Sequence, residues 1–241
     1  MEKKLSLVEQ TQKMILDYIA SHPYDKQLPK EEEFIEILNV SRGILREALS
    51  RLRALGIIET KKKRGSVLVN PDIFAILRPV INSNLLDKEA LKNLYQFRLM
   101  MEIGAADFIF MGRTENNMNE LDAIVEEEAM LEEELSKAES EEEKYALAYK
   151  RSDIDIRFHG KLYEMTGNKY MTDFLFIVRH LFTLYAPTIK KDFRERTVVS
   201  HVGLYNLLRT GTPDAFRLAM RLHLNPLFTR MDEIINDSAN S

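Results

Sequence analysis

At 241 residues, 45% of them hydrophobic, the chain exceeds the usual size of a single domain and holds enough apolar material for two cores. It has no cysteine, which excludes disulfides and thiolate metal sites, and no apolar run long enough to span a membrane. The N-terminus MEKKLSLVEQ lacks the apolar centre of a signal peptide, so a cytoplasmic protein with no membrane partner is expected.

Leu5 to Ser21 places Leu5, Val8, Gln12, Ile15, Leu16 and Ile19 near one face and predicts a first helix, ended by His22-Pro23. Pro29 to Leu38 predicts a second, shorter helix carrying Phe34, Ile35 and Leu38, followed by a break at Asn39-Val40. From Asn39 to Gly56 the residues Ile44, Leu45, Ala48, Leu49, Leu52 and Leu55 recur at three and four, the stripe of an amphipathic helix. Ser41 stands where an N-cap belongs and Gly56 where a left-handed C-terminal residue is expected. Arg42, Arg46, Arg51 and Arg53 lie off that stripe. Two short β-type runs, Ile57 to Thr60 and Ser66 to Val69, flank Lys61, Lys62, Lys63, Arg64 and Gly65, which predicts a hairpin with a basic tip.

Helix, tight turn, helix and basic hairpin together form the pattern of a DNA reader. In that arrangement the second helix presents its first residues to base edges, so Arg42 and Arg46 are the candidates there. Lys61, Lys62, Lys63 and Arg64 are candidates for phosphates, and Ser41, Arg51 and Gly65 complete the candidate DNA-binding set. The formal net charge of −4 does not argue against this, because sign separates along the chain. Val40 to Val69 holds eight Lys/Arg against two Asp/Glu, a local +6, whereas Glu115 to Glu143 holds thirteen acids against Lys137 alone. Attraction for phosphate acts within a Debye length of about 8–10 Å, so the local patch decides.

The run from Leu28 to Val69 resembles the winged helix-turn-helix of the GntR family of bacterial transcription regulators. The resemblance is carried by Leu28-Pro29, Val40-Ser41-Arg42, Leu45-Arg46-Glu47-Ala48-Leu49, Leu52, Leu55-Gly56 and the glycine of the wing. Members often carry an arginine soon after the Leu-Pro start that touches DNA; this chain has Glu32 and Glu33 there.

Asn70-Pro71 closes the wing, and residues 71–87 form a connection rich in apolar residues such as Phe74, Ile76, Leu77 and Val80. From Lys88 onward the periodicity is helical, with breaks near Met111-Gly112-Arg113, Gly167-Asn168, Ala186-Pro187 and Gly211-Thr212-Pro213. Helices are expected at about 88–111, 115–138, 141–166, 168–185, 193–210 and 213–235. The acidic run keeps an apolar stripe of Leu121, Ile124, Val125, Met130, Leu131 and Leu135, so it reads as the outer face of a bundle helix. The expected fold is mainly α: a winged helix-turn-helix at 1–70 with a small β-hairpin, then an all-helical bundle at 88–241.

Among five histidines, His159 follows Asp155 by four, which puts an imidazole and a carboxylate on one helical face. His201 stands about ten residues before the Gly211 turn and His223 about ten after it, so in an antiparallel pair their rises of roughly 1.5 Å per residue cancel and they come level. Asp155, His159, His201 and His223 are therefore candidate ligands of a divalent metal; such a set suits Zn, Ni, Fe, Co or Mn alike. The other histidines read differently, His180 as bundle lining and His22 as loop.

Leu91 to Ile235 also resembles the effector domain of the FadR subfamily within GntR, the type known as FCD. The carriers are Arg98 and Glu102, Asp155 and His159, His201, and His223. The resemblance implies a divalent metal on the Asp and three His, with a small organic acid bound beside it. Arg98, and less directly Arg179, are candidates to meet the acid's carboxylate. For Arg98 the plain alternative is an ion pair with Glu102, four residues on. The expected function is a homodimeric regulator, in sign a repressor, on a roughly palindromic double-stranded operator, released by the acid. Two alternatives stand beside it: a mononuclear metallohydrolase, for which no HExxH base or nucleophile motif is present, and a regulator whose metal is itself the signal or only a staple.

Overall fold

The structure is a computed structural model that describes residues 5–23, 26–62, 64–70, 74, 77–83, 86–189 and 198–228, with backbone alone for 181–189. It divides into two compact units, Met1–Leu77 and Arg78–Ser241, the division falling inside the expected connection at 71–87.

In the first unit, α1 (Leu7–Ser21) starts at a capping box in which Ser6 and Glu9 bond each other's backbone N–H. Helix α2 (Glu31–Leu38) ends at Asn39, whose φ of 51° and ψ of 51° turn the chain sharply. Helix α3 (Arg42–Ala54) follows at once, capped by the Ser41 side chain at its predicted position. Gly56 adopts the expected positive φ, 66°.

The stripe of α3 buries Leu45, Ala48, Leu49 and Leu52 against Ile15, Leu28, Phe34 and Ile58. Leu55 falls outside this core and is exposed, as are Leu5 and Leu16 of the first predicted stripe. At roughly 1.5–3 kcal/mol for each large apolar side chain fully buried, this small core is what holds α3 in place while Arg42, Arg46 and Arg51 face outward.

The wing pairs β1 (Ile58–Lys61) with β2 (Gly65–Leu68), Ile58 opposite Leu68 and Lys61 opposite Gly65, each strand one residue off its expected start. Gly65 takes a φ of 70°, which the tight tip requires. A short bridge between Gln27 and Val67, with Leu28 N–H donating to the Ser66 carbonyl, adds an edge contact that the sequence did not announce.

The second unit is helical among its described residues. Helix α4 (Leu77–Asn82) lies in the expected connection, followed by α5 (Lys88–Gly104), α6 (Ala106–Met111), α7 (Glu115–Lys137) and α8 (Glu141–Met165). Next come α9 (Lys169–Ile189), α10 (His201–Thr210) and α11 (Pro213–His223). Helix α8 packs on α6, α7 and α9; α10 packs on α7 and α11, and α11 on α5 and α6.

Several expected boundaries are corrected. The helix expected over 88–111 is broken at Ala105, where ψ of −7° departs from helical geometry just after Gly104. Helix α9 runs through Ala186-Pro187, since a proline so near the end removes only a late hydrogen bond. Helix α10 begins at His201 and not near 193, because Ser200 caps it and residues 198–199 are bends; residues 190–197 lie outside those described. The helix expected over 213–235 is interrupted at Leu224, close to a proline, Pro226, that has no N–H for Leu222; helix resumes over 225–228, and residues 229–235 lie outside those described. In α7 the stripe buries Leu121, Ile124, Val125 and Leu131, while Met130 faces outward.

Candidate functional site

The first unit presents its basic residues where the sequence placed them. Ser41, Arg42, Arg46 and Arg51 are exposed on or beside α3, and Lys61, Lys62, Arg64 and Gly65 are exposed on the wing; Lys63 lies outside the described residues. All three of these arginines are engaged. Nε of Arg46 lies 2.7 Å from Oε2 of Glu31, and Nη2 of Arg42 lies 3.3 Å from Oε1 of Glu32, both acids belonging to the first turn of α2. Arg51 pairs along its own helix with Glu47 at 2.9 Å.

In the second unit, one potential ligand atom from each of Asp155, His159, His201 and His223 lies within 4.8 Å of the others. His159 lies one helical turn beyond Asp155 on α8, while His201 opens α10 and His223 closes α11, so the Gly211 turn brings those two level as the spacing required. Their ring centroids are 4.8 Å apart, and each is 5.4 Å from that of His159. Phe158 stacks on His201 at 4.2 Å, and all three imidazoles are buried.

What surrounds the rings decides which nitrogen faces the centre. Nδ1 of His223 lies 2.7 Å from the Val199 carbonyl oxygen and Nδ1 of His201 lies 2.9 Å from Oε1 of Glu128. Nδ1 of His159 lies 2.8 Å from Oε2 of Glu102, in ion-pair contact though off the line of a hydrogen bond. All three partners are acceptors, so in the neutral ring each Nδ1 carries the proton and Nε2 is the nitrogen turned toward the centre. Nε2 of His223 and Nε2 of His159 are 3.4 Å apart, and Nε2 of His201 is 3.3 Å from Oδ1 of Asp155. Oδ2 of Asp155 and Nε2 of His201 are buried without a hydrogen bond. Converging ring nitrogens beside an unsatisfied buried carboxylate oxygen fit a divalent cation.

Charge follows the same plan. Burial would raise the Asp155 carboxyl, but His201, whose Nε2 lies 3.3 Å away, together with the charges of His159 and Arg98 outweighs it, holding the group well below the usual carboxylate range. Burial lowers the His201 imidazole, yet its contact with Asp155 and its hydrogen bond to Glu128 raise it on balance to about 9. Burial, with the repulsion of His201 and His159, pushes His223 down to about 3, so it stays neutral.

Arg98 is buried beside this cluster, its Nε donating to Oε1 of Glu102 at 2.5 Å. The Tyr163 hydroxyl donates to the same oxygen at 2.6 Å. The plain alternative for Arg98, the ion pair to Glu102, is therefore present, and Glu102 links that pair to His159. Arg179 is exposed on α9, so its placement gives the expected pocket role no support. His180 is half-buried on α9, and His22 caps the end of α1 with its ring stacked 4.1 Å from Tyr18. The sequence reading missed Glu128 and the Val199 carbonyl as partners of the rings, and Glu31 as a partner of Arg46.

Comparison with known proteins agrees with this division. The profile described as "Bacterial regulatory proteins, gntR family" matches residues 8–68, and the profile described as "FCD domain" matches residues 93–226, more than half of the chain. The chain is 26% identical to the HTH-type transcriptional regulator LutR of Bacillus subtilis over 224 residues, 89% of this chain and 93% of that protein. It is 25% identical to the HTH-type transcriptional repressor NanR of Edwardsiella tarda over 210 residues, 84% of this chain and 76% of that protein. Among solved structures, Streptococcus agalactiae GntR aligns with a TM-score of 0.48 and 23% identity, covering 91% of this chain and 98% of that one.

Proposed function

The chain belongs to the gntR family of bacterial regulatory proteins, with an FCD domain as its second part, and is a DNA-binding regulator of transcription and not an enzyme; from that premise we propose that it is a repressor governed by a small organic acid held at a divalent metal. The observation that carries the metal reading is the orientation of the three imidazoles. Each Nδ1 faces an acceptor, which turns every Nε2 inward beside Asp155. Asp155, His159, His201 and His223 would hold the ion, and Zn, Ni, Fe, Co and Mn all suit such a set. When bound, the cation supplies a fixed positive charge that attracts an acid's carboxylate.

The protein's own groups do the rest. Glu102, Glu128 and the Val199 carbonyl keep the rings turned, as acceptors behind ligating histidines do. Arg98, charged throughout the accessible pH range because Glu102, Tyr163 and Asp155 outweigh the burial that would lower it, adds a cation beside the cluster for the acid. In the first unit Ser41, Arg42 and Arg46 read base edges, while Arg51, Lys61, Lys62, Lys63, Arg64 and Gly65 meet phosphates and sugars.

Two such units in a cytoplasmic homodimer engage a roughly palindromic operator. The acid releases it only so far as it prefers the state that does not bind DNA, commonly a coupling of about 1–3 kcal/mol. The name of NanR as a repressor supports the sign.

The test is a thermal-shift screen of organic acids on the metal-loaded protein, repeated after the metal is stripped. An acid at roughly 100 times its dissociation constant stabilises the native state by about 2.7 kcal/mol. Stabilisation that needs the metal, by an acid that also releases operator DNA, is the expected result. Release by metal alone would make the ion itself the signal, and indifference of DNA binding to both would leave it a staple of the bundle.

A further inference from the structure

The reader arginines of α3 do not stand alone: the two expected to meet base edges each face a carboxylate from α2. Glu31 touches Arg46 at 2.7 Å and Glu32 touches Arg42 at 3.3 Å, across separations in sequence of 15 and 10 residues. The acids occupy the first turn of α2, where the helix dipole favours negative charge, so their position does not depend on the arginines. Arg42, Arg46 and Glu32 are exposed and Glu31 is half-buried, and pairs so open to solvent add little to folding stability. Their consequence is for what the arginines can reach.

An arginine that leaves its carboxylate for a phosphate gives up one anion for another, and the carboxylate is left facing the negatively charged backbone. A base edge is different. Glu31 contacts Arg46 through Nε and not through the two terminal amino groups, the end that a guanine accepts, while Glu32 contacts Arg42 through one terminal amino group, Nη2. We propose that Glu31 and Glu32 are specificity determinants of the DNA-binding unit: they hold Arg46 and Arg42 for base contact and withhold them from phosphates on DNA of the wrong sequence. This rests on the assignment of Arg42 and Arg46 as readers.

The test compares full-length variants by fluorescence anisotropy on a short duplex of scrambled sequence and on a duplex selected from a random library, each across a salt series. The double variant Glu31→Gln, Glu32→Gln removes both charges with little change of shape. It is expected to bind the scrambled duplex on the order of tenfold more tightly near 0.1 M salt, with a slope of log K against log salt steeper by about 2, as two freed arginines would give. The selected duplex gains less, so the ratio between the two duplexes falls.

Glu33→Gln is the control for charge alone, because Glu33 bonds the backbone N–H of Lys30 at 3.0 Å and sits on the same turn. It is expected to leave the slope at the wild-type value. An unchanged slope in the double variant, while Arg42→Ala, Arg46→Ala weakens binding to the selected duplex, would overturn the proposal and spare the reader assignment. Equal tightening by Glu33→Gln would overturn it as a general charge effect. Wild-type binding in the arginine double variant would overturn the reader assignment, and the proposal with it.

Discussion

Oε1 of Glu128 lies 2.9 Å from Nδ1 of His201, joining the middle of α7 to the first residue of α10. That contact fixes which ring nitrogen of His201 faces Asp155. Glu128→Gln keeps an acceptor oxygen but loses the charge behind the ring, and is expected to weaken metal binding by about tenfold to a hundredfold. Competition with a chelator of known affinity measures it; unaltered affinity would mean that Glu128 is incidental to the site.

Metal uptake should be coupled to protons. Without metal, His201 is held up at about 9 by Asp155 and Glu128 against the lowering effect of burial, so near neutral pH a proton must leave before Nε2 can coordinate. His223, held near 3 by burial and its neighbours, has none to give. Affinity should therefore rise with pH, by roughly tenfold per unit while His201 is protonated, and level off above about 9. Calorimetry in buffers of different ionisation enthalpy should count about one proton released per ion at pH 7 from this group. The metal-free protein shows the converse: a pKa raised from 6.5 to about 9 on folding gives a stabilisation fully present below 6.5 and lost as pH rises through 9.

Arg98 and Glu102 form an ion pair whose side chains are only 2% and 1% exposed. Arg98→Ala would leave Glu102 buried with its charge poorly matched, and should destabilise the metal-free, acid-free protein by about 3–5 kcal/mol. Thermal unfolding without ligands checks this. A loss confined to the acid response, with stability unchanged, would show instead that Arg98 serves the acid alone.

At the end of α6 the backbone passes so close to α8 that a Cβ added to Gly112 would lie 1.9 Å from the Met165 carbonyl oxygen. Neither backbone can move far without shifting a whole helix, so Gly112→Ala should cost about 1–3 kcal/mol. At Gly104 an added Cβ meets nothing within 4 Å, and Gly104→Ala should be neutral or stabilising. Equal unfolding temperatures for the two variants would contradict the close approach.

These relationships differ in how plainly the sequence carried them. The first unit was legible because each signal was local: Ser41 at an N-cap, Gly56 with positive φ, apolar residues at three and four. The four candidate ligands were legible through spacing about a turn. Glu128 was not, although its trace was there: Leu121, Ile124, Val125 and Leu131 leave a gap in the buried stripe of α7 that Glu128 fills, while Met130 faces out. Arg98 and Glu102 likewise occupy buried positions of α5 beside Leu91, Tyr95 and Leu99. A charged residue on an apolar stripe marks a buried partner, but periodicity does not say which one. The pairing of Arg46 with Glu31 joins two helices through side chains alone, and no spacing rule reports it.

On the proposed function, Asp155, His159, His201 and His223 hold one divalent ion without serving DNA binding directly. Elemental analysis of the purified full-length protein and of the double variant His201→Ala, His223→Ala, alongside their operator affinities, tests it most directly. About one ion per wild-type chain and almost none in the variant is predicted, with operator binding retained and the acid response lost. Equal metal content in both proteins, or no metal in the wild type after incubation with each candidate ion, would contradict it.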